Sequence, residues 1–238
     1  MRIIMLTGTI VNALAIAIAS LIGVRIRNVP EGMSKLVMQL LSLAIIIIGI
    51  QMAITGNQFL IIIAGLTIGA LIGEWLRIDD RLNHLGSWLG TKLGKNSQGN
   101  VAQAFVSSTL IFAAGALAIL GPLESALRGD HSLLFTKASI DGFSALIISS
   151  TLGIGVFFAA IPVFLYQATI TLLANQIDAH VSPELMDLII AELTSIGGIL
   201  ILAIGLNLLN ITQIKIANLL PSLVIVILLV IGFQNFLI

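Results

Sequence analysis

Gln58-Phe-Leu-Ile-Ile-Ile-Ala-Gly-Leu-Thr-Ile-Gly-Ala-Leu-Ile-Gly-Glu-Trp-Leu76 carries one charged side chain, Glu74, close to its end. A hydrocarbon core about 30 Å thick takes about 20 apolar residues in helix, and this stretch has that length and composition. It predicts a membrane span. Gly65, Gly69 and Gly73 fall on every fourth residue, which lays a thin backbone strip along one face that a neighbouring helix can approach closely. The same criterion, applied along the chain, gives about eight transmembrane helices near 7–24, 34–54, 58–76, 100–120, 133–152, 154–177, 185–208 and 217–236. Between the fifth and sixth only Gly153 and Gly155 interrupt the apolar run, so a re-entrant pair is the alternative to two full spans there.

Composition agrees. Of 238 residues 58% are hydrophobic and 9% charged, with a mean hydropathy of +1.13. Soluble domains carry about 25% charged residues, so a soluble globular protein is excluded and the lipid bilayer is the expected surrounding. The expectation is an all-α integral membrane protein, a single polytopic domain over 1–238. Eleven Lys and Arg balance eleven Asp and Glu, which leaves no basic surplus for a nucleic acid. Without cysteine there are no disulfides, thiolate metal sites or thiol nucleophiles.

Arg2 before an apolar run and the small residues Ala17 and Ala19 resemble a signal peptide, but Arg25, Arg27 and Lys35 follow that run. With the amino terminus placed outside, Arg25, Arg27, Lys35, Arg77, Arg81, Lys92, Lys95 and Lys215 fall on the inner side. Arg2, Arg128 and Lys137 fall on the outer side. Lys and Arg are retained inside, so both termini are expected outside. Between the third and fourth spans Ile78, Leu82, Leu85, Leu89 and Leu93 recur at helical spacing, with Asp79, Asp80, Arg81 and Lys92 on other faces. This predicts an amphipathic interfacial helix over 77–94, with Trp75 and Trp88 at headgroup level. Gly86, Gly90 and Gly94 repeat the four-residue step there. The glycine steps favour internal packing, and a homo-oligomer is the alternative they leave open.

Leu43-Ala-Ile-Ile-Ile-Ile-Gly-Ile-Gln51 is echoed by Ile199-Leu-Ile-Leu-Ala-Ile-Gly-Leu-Asn207, each before a short polar break and one more span. If spans two and three correspond to seven and eight, the odd offset makes the copies an inverted repeat.

Ionisable groups within apolar segments cost about 2.5–3.5 kcal/mol each on insertion scales, so their positions call for a reason. Lys137 and Asp141 stand four apart in span five, on one helical face that Ser144 continues. Glu192 lies about two turns into span seven, with Ser195 and Gly197-Gly198 after it and no basic partner in its own span. It can carry a proton or reach across to Lys137. Gly121-Pro122 is expected to break span four and bring Glu124 close to the membrane, and Pro162 is expected to kink span six just before Tyr166 and Gln167. Asn12 adds a neutral polar group to span one. Each position also has a purely structural explanation, as a snorkelling pair, an interhelical bond or an ordinary loop.

No His-Glu-x-x-His, Walker or GxGxxG pattern occurs, the three histidines lie in separate loops, and Asp130-His131-Ser132 are neighbours that point apart. An enzyme, a cofactor and a metal are therefore not expected.

The block Gly115-Ala-Leu-Ala-Ile-Leu-Gly-Pro-Leu-Glu-Ser-Ala-Leu-Arg-Gly-Asp-His131, with Lys137-Ala-Ser-Ile-Asp141-Gly-Phe-Ser144 and Ile161-Pro-Val-Phe-Leu-Tyr-Gln167, resembles the bacterial membrane-protein family called domain of unknown function 554. Gly8-Thr-Ile-Val-Asn12, Ile78-Asp-Asp-Arg-Leu82 and Glu192-Leu-Thr-Ser-Ile-Gly-Gly198 resemble it too. The resemblance implies a prokaryotic inner-membrane protein and supplies no substrate. From the residues themselves, the leading expectation is a secondary transporter of a cation or small solute. Proton coupling is one variant of it. Its intramembrane site would draw on Asn12, Glu124, Lys137, Asp141, Ser144, Tyr166, Gln167 and Glu192. The alternative is a non-transporting scaffold or assembly subunit whose polar residues only lock helices together.

Overall fold

In lipid each backbone N–H and C=O must find its partner within the protein, and long Ile/Leu/Ala runs meet that demand as helix. The computed structural model describes residues 5–26, 31–81, 84, 100–113 and 117–236, and no strand occurs among them. The helices are α1 Thr7–Arg25, α2 Glu31–Ala53, α3 Phe59–Leu76, α4 Asn100–Ala113, α5 Leu117–Leu127, α6 Ser132–Leu152, α7 Gly155–Phe158, α8 Ala160–His180, α9 Pro183–Leu208 and α10 Pro221–Phe236, with a 3-10 turn at Ile216–Leu219 before α10. Local chemistry sets several ends. Ser182 accepts the Leu185 N–H at 3.2 Å and Pro183 opens α9, while Arg77 closes α3 in the left-handed region at φ 52°.

Six segments of the described residues are long and apolar enough to cross a membrane: Thr7–Arg25, Phe59–Leu76, Ser132–Leu152, Gly155–Ile177, Pro183–Leu208 and Ile216–Phe233. The pair Val101–Ala113 and Leu117–Leu127, bent by 57°, makes a seventh if taken as one broken span. The expected span 34–54 contains a shorter apolar helix, Met38–Ala53, about 24 Å long at a rise of about 1.5 Å per residue. Met38–Ala53 is the apolar part of α2, Glu31–Ala53, and does not meet the length criterion by itself, so six of the eight expected spans, or seven with the bent pair, are supported on length and composition. The stretches on either side of Gly153, where φ is 86°, each satisfy the criterion as full spans. Of the amphipathic helix expected over 77–94, residues 78–81 and 84 are helical. Trp88 and Gly86, Gly90 and Gly94 lie outside the described residues.

Of the two prolines, Pro122 departs from expectation and Pro162 meets it, with a break in the helix just before it. Gly121-Pro122 does not end a helix: Pro122 sits inside α5, where Gly121, Pro122 and Leu123 are buried and the proline deprives only the Ala118 carbonyl of its helical donor. Pro162 lies in the first turn of α8. Its missing N–H is the one that would reach the Phe158 carbonyl, and the helix is interrupted at Ala159 between α7 and α8.

The chain divides into two compact units, residues 1–37 with 84–180, and 38–83 with 181–238. In the first, α1 packs along α6. Gly8, Asn12, Ile16, Ser20 and Gly23 form the buried stripe of α1, and Leu134, Lys137, Asp141, Ala145, Ile148 and Leu152 belong to that of α6. Glycine sets the approach: a Cβ on Gly8 would stand 2.6 Å from Leu134 Cδ1, and one on Gly23 would strike the Leu146 carbonyl and Ser149. In the second unit, the Gly65-Gly69-Gly73 strip of α3 lies against Val226, Ser222 and Asn218, so it packs internally. The α2 and α9 helices cross where Gly49 meets Gly198 and Leu202, and Gly205 meets Ser42 and Ile46. Under the shift that places Gly49 on Gly205, Ser42 falls on Gly198 and Ile46 on Leu202. The two contacts therefore exchange, as a local two-fold between the echoed segments requires.

Candidate functional site

The buried stripe of α6 puts Lys137 and Asp141 one turn apart on the face turned to α1, and the pair closes there. Lys137 Nζ stands 3.0 Å from Asp141 Oδ2 and 3.1 Å from Oδ1, and each residue is 5% exposed. On α1, Asn12 occupies the same interface because Gly8 and Ile16, one turn to either side, leave its face in contact. Its Nδ2 donates to Asp141 Oδ2 at 3.1 Å and to Gln167 Oε1 at 3.2 Å. Gln167 comes from α8, whose buried face also carries Val163, Thr171 and Ala174. Three helices thus converge on one polar cluster, with Asn12 and Gln167 both fully buried.

The cluster is not saturated. Asn12 Oδ1, Gln167 Nε2 and Thr171 Oγ1 are buried without a hydrogen-bond partner among the described residues. Each such group costs about 1–3 kcal/mol if nothing meets it. An acceptor, a donor and a hydroxyl are therefore left unmet beside, or one helical turn from, an ion pair whose own charges cancel. Arranged in this way, the groups can hold a molecule that offers both a donor and an acceptor, or a cation at the carboxylate. Among the described residues no group of three or more His, Cys, Asp or Glu is placed to hold a metal ion.

The other expected residues have separate places. Ser144, one turn beyond Asp141, and Tyr166, next to Gln167, are half-buried and take part in none of these bonds. Glu124 pairs with Arg128 at 3.0 Å on the exposed end of α5. Beside it, the fully buried Ser125 hydroxyl lies 2.8 Å from the Met5 carbonyl and 2.7 Å from His131 Nδ1. The Ser132 backbone N–H donates to Asp130 and holds its carboxyl below the usual range. Glu192 belongs to the other unit. Lys137 has its partner in Asp141, and Glu192 Oε1 instead accepts the backbone N–H groups of Asn57 at 2.8 Å and Gln58 at 2.9 Å. Its Oε2 has no partner among the described residues.

Two features escaped the sequence reading. Thr171 lies one turn after Gln167, a spacing that would have identified it. The polar knot of Glu74, Lys215 and Asn218 carried no local signal, because its members are far apart in the chain. Lys215 Nζ donates to Glu74 Oε1 at 3.0 Å, Asn218 Nδ2 to Glu74 Oε2 at 2.6 Å, and the Asp79 N–H to Asn218 Oδ1 at 2.7 Å. The hydrogen bond to the Glu74 carboxylate holds the Lys215 ammonium above its ordinary pKa.

Comparison with known proteins places the chain among uncharacterised membrane proteins. It is 35% identical over 92% of its length to the uncharacterized membrane protein YdfK of Bacillus subtilis (strain 168), covering 93% of that protein. It is also 28% identical over 93% of its length to the uncharacterized protein YqgA of Escherichia coli (strain K12), covering 94% of it. No solved structure matches. Its apolar helices and this kinship describe a multi-pass membrane protein. The family model described as "Protein of unknown function (DUF554)" matches residues 7–231, and with nearly full-length relatives beside it the chain belongs to that family.

Proposed function

We propose that this membrane protein is a secondary transporter of a cation or small polar solute, and that the Asn12, Lys137, Asp141 and Gln167 cluster holds the cargo. The observation that carries the proposal is the set of unspent hydrogen-bonding groups, Asn12 Oδ1 and Gln167 Nε2, next to a buried charged pair. Ionisable residues inside membrane segments are expensive and mark substrate or ion pathways, and a pair kept for packing alone gains nothing from unsatisfied amides beside it. In this reading Asp141 binds the positive or donor end of the cargo. Lys137 neutralises Asp141 when the site is empty, and the two amides orient the ligand. Ser144 and Tyr166 flank the cluster. In this reading the protein lies in the prokaryotic inner membrane, as its family resemblance implies, and the Lys and Arg distribution over eight spans, with α2 counted as one, favours both termini outside.

The test is proton and cation flux in proteoliposomes at two pH values, with wild type beside Asp141→Asn. The expected result is flux from wild type that the variant loses while remaining folded. Well-folded wild type without flux favours the alternative, a scaffold whose polar residues lock helices together.

A further inference from the structure

Glu192 takes no part in the site just proposed, and its surroundings assign it another task. It is fully buried in α9, one helical turn before Ser195. Its Oε1 accepts the N–H groups of Asn57 and Gln58, in the connection that leads from α2 into α3. A carboxylate from α9 therefore supplies the cap that α3 lacks locally, since Gln58 makes no side-chain cap of its own. Two backbone donors on one oxygen, at a helix N-terminus, are surroundings that suit a carboxylate.

Oε2 faces different groups. It is buried and has no hydrogen-bond partner among the described residues. A Cβ added to Gly56 would stand 2.9 Å from Oε2, 2.8 Å from Ser195 Cβ and 2.6 Å from Ile62 Cδ1. Glycine thus keeps open a small space that Glu192 and Ser195 both border and Ile62 closes. The Ser195 hydroxyl donates to the Ala53 carbonyl at 2.6 Å, which leaves lone pairs on both oxygens. Ala53 ends α2, and the carbonyls at a helix C-terminus carry the negative end of its dipole. Oε2, the Ser195 hydroxyl oxygen and the Ala53 carbonyl are therefore gathered at the end of a helix, while both N–H donors go to Oε1.

No countercharge comes from the packed elements. The bases of the second unit are Arg77, Arg81 and Lys215. Arg77 pairs with Asp80, Lys215 pairs with Glu74, and Arg81 is exposed. All three gather at the C-terminal end of α3, a helix about 27 Å long at a rise of about 1.5 Å per residue, whereas Glu192 caps its start. A set of oxygens with one net negative charge is matched by one hard cation of single charge, and unwound backbone beside helix ends is where membrane proteins hold such ions. The described residues offer no group of three or more His, Cys, Asp or Glu that would favour a metal of higher charge.

We infer that Glu192 Oε2, the Ser195 hydroxyl and the Ala53 carbonyl form a binding site for one monovalent alkali cation, which neutralises the carboxylate and ties the end of α2 to the start of α3. The site belongs to the second unit and stands whether or not the cluster of the first unit carries cargo.

The experiment is amide hydrogen exchange by mass spectrometry on the full chain in lipid nanodiscs. Sodium chloride and potassium chloride are each titrated against N-methylglucamine chloride at one pH and one ionic strength. An alkali ion at about ten times its dissociation constant is expected to raise the protection of residues 54–62 about tenfold in wild type. The rise should saturate, and Glu192→Gln should lose it. Equal protection of this segment in all three salts overturns the proposal, as does an equal rise in Glu192→Gln. A rise confined to α1 and α6 also overturns it and assigns the cation to Asp141. If Glu192→Gln does not fold, Gly56→Ala takes its place: it keeps the carboxylate, fills the space beside Oε2 and should shift the half-saturating concentration upward, and an unshifted titration overturns the proposal.

Discussion

At the scale of single residues, the buried Lys137–Asp141 pair sets the energetics of the first unit. Removing one partner of a buried pair leaves the other charge uncompensated, at about 3–5 kcal/mol, whereas removing both can be nearly neutral. Lys137→Met is therefore expected to lower the thermal midpoint and yield of purified protein, and adding Asp141→Leu to recover part of the loss. If the double variant proves no better than Lys137→Met, the pair is not coupled in this way. The i, i+4 relation of these two residues was legible in the sequence. What it could not announce was that Asn12 joins them to Gln167, because that bridge requires α1 and α8 to meet at α6. Glu192 was legible as an anomaly but not as a cap, since its partners are backbone N–H groups that leave no trace in side-chain patterns.

At the scale of elements, apolar length decided most helices correctly, and the glycine strips marked close approach where the structure has it. Gly73 lies so near Asn218 that a Cβ would strike the Asn218 carbonyl, whereas Gly232 in α10 meets nothing within 4 Å. Gly73→Ala should destabilise by about 1–3 kcal/mol through overpacking. Gly232→Ala should be neutral or stabilising by about 0.5–1 kcal/mol, as expected for glycine replaced inside a helix. Thermal unfolding of the two variants side by side tests the contrast, and equal shifts would refute the packing assignment. Pro162 was legible as the break in its span, and Gly121-Pro122 was not. A Gly-Pro pair costs one helical hydrogen bond, and whether that ends a helix depends on the burial gained around it, which at Gly121, Pro122 and Leu123 keeps α5 continuous.

At the scale of the whole molecule, the first unit gathers the charged pair and its amide bridge, and the second gathers the echoed segments and the Glu192 carboxylate with its two backbone donors. Because the chain has no cysteine, a single introduced one reports its own side of the membrane. His180→Cys and Gln213→Cys, both at exposed positions flanking α9, are expected to differ: an impermeant maleimide added to cells labels the former and not the latter. Equal labelling would overturn the proposed placement of the termini. The central claim is that the buried cluster of the first unit carries cargo. It is tested most directly by flux through proteoliposomes containing wild type, Asp141→Asn, Gln167→Leu or Thr169→Val, the last at an exposed residue whose hydroxyl already bonds the Leu165 carbonyl. The account predicts that flux is lost in the first two variants and kept in Thr169→Val, all of them folded. Folded wild type that passes nothing, or equal flux in all four proteins, would contradict it.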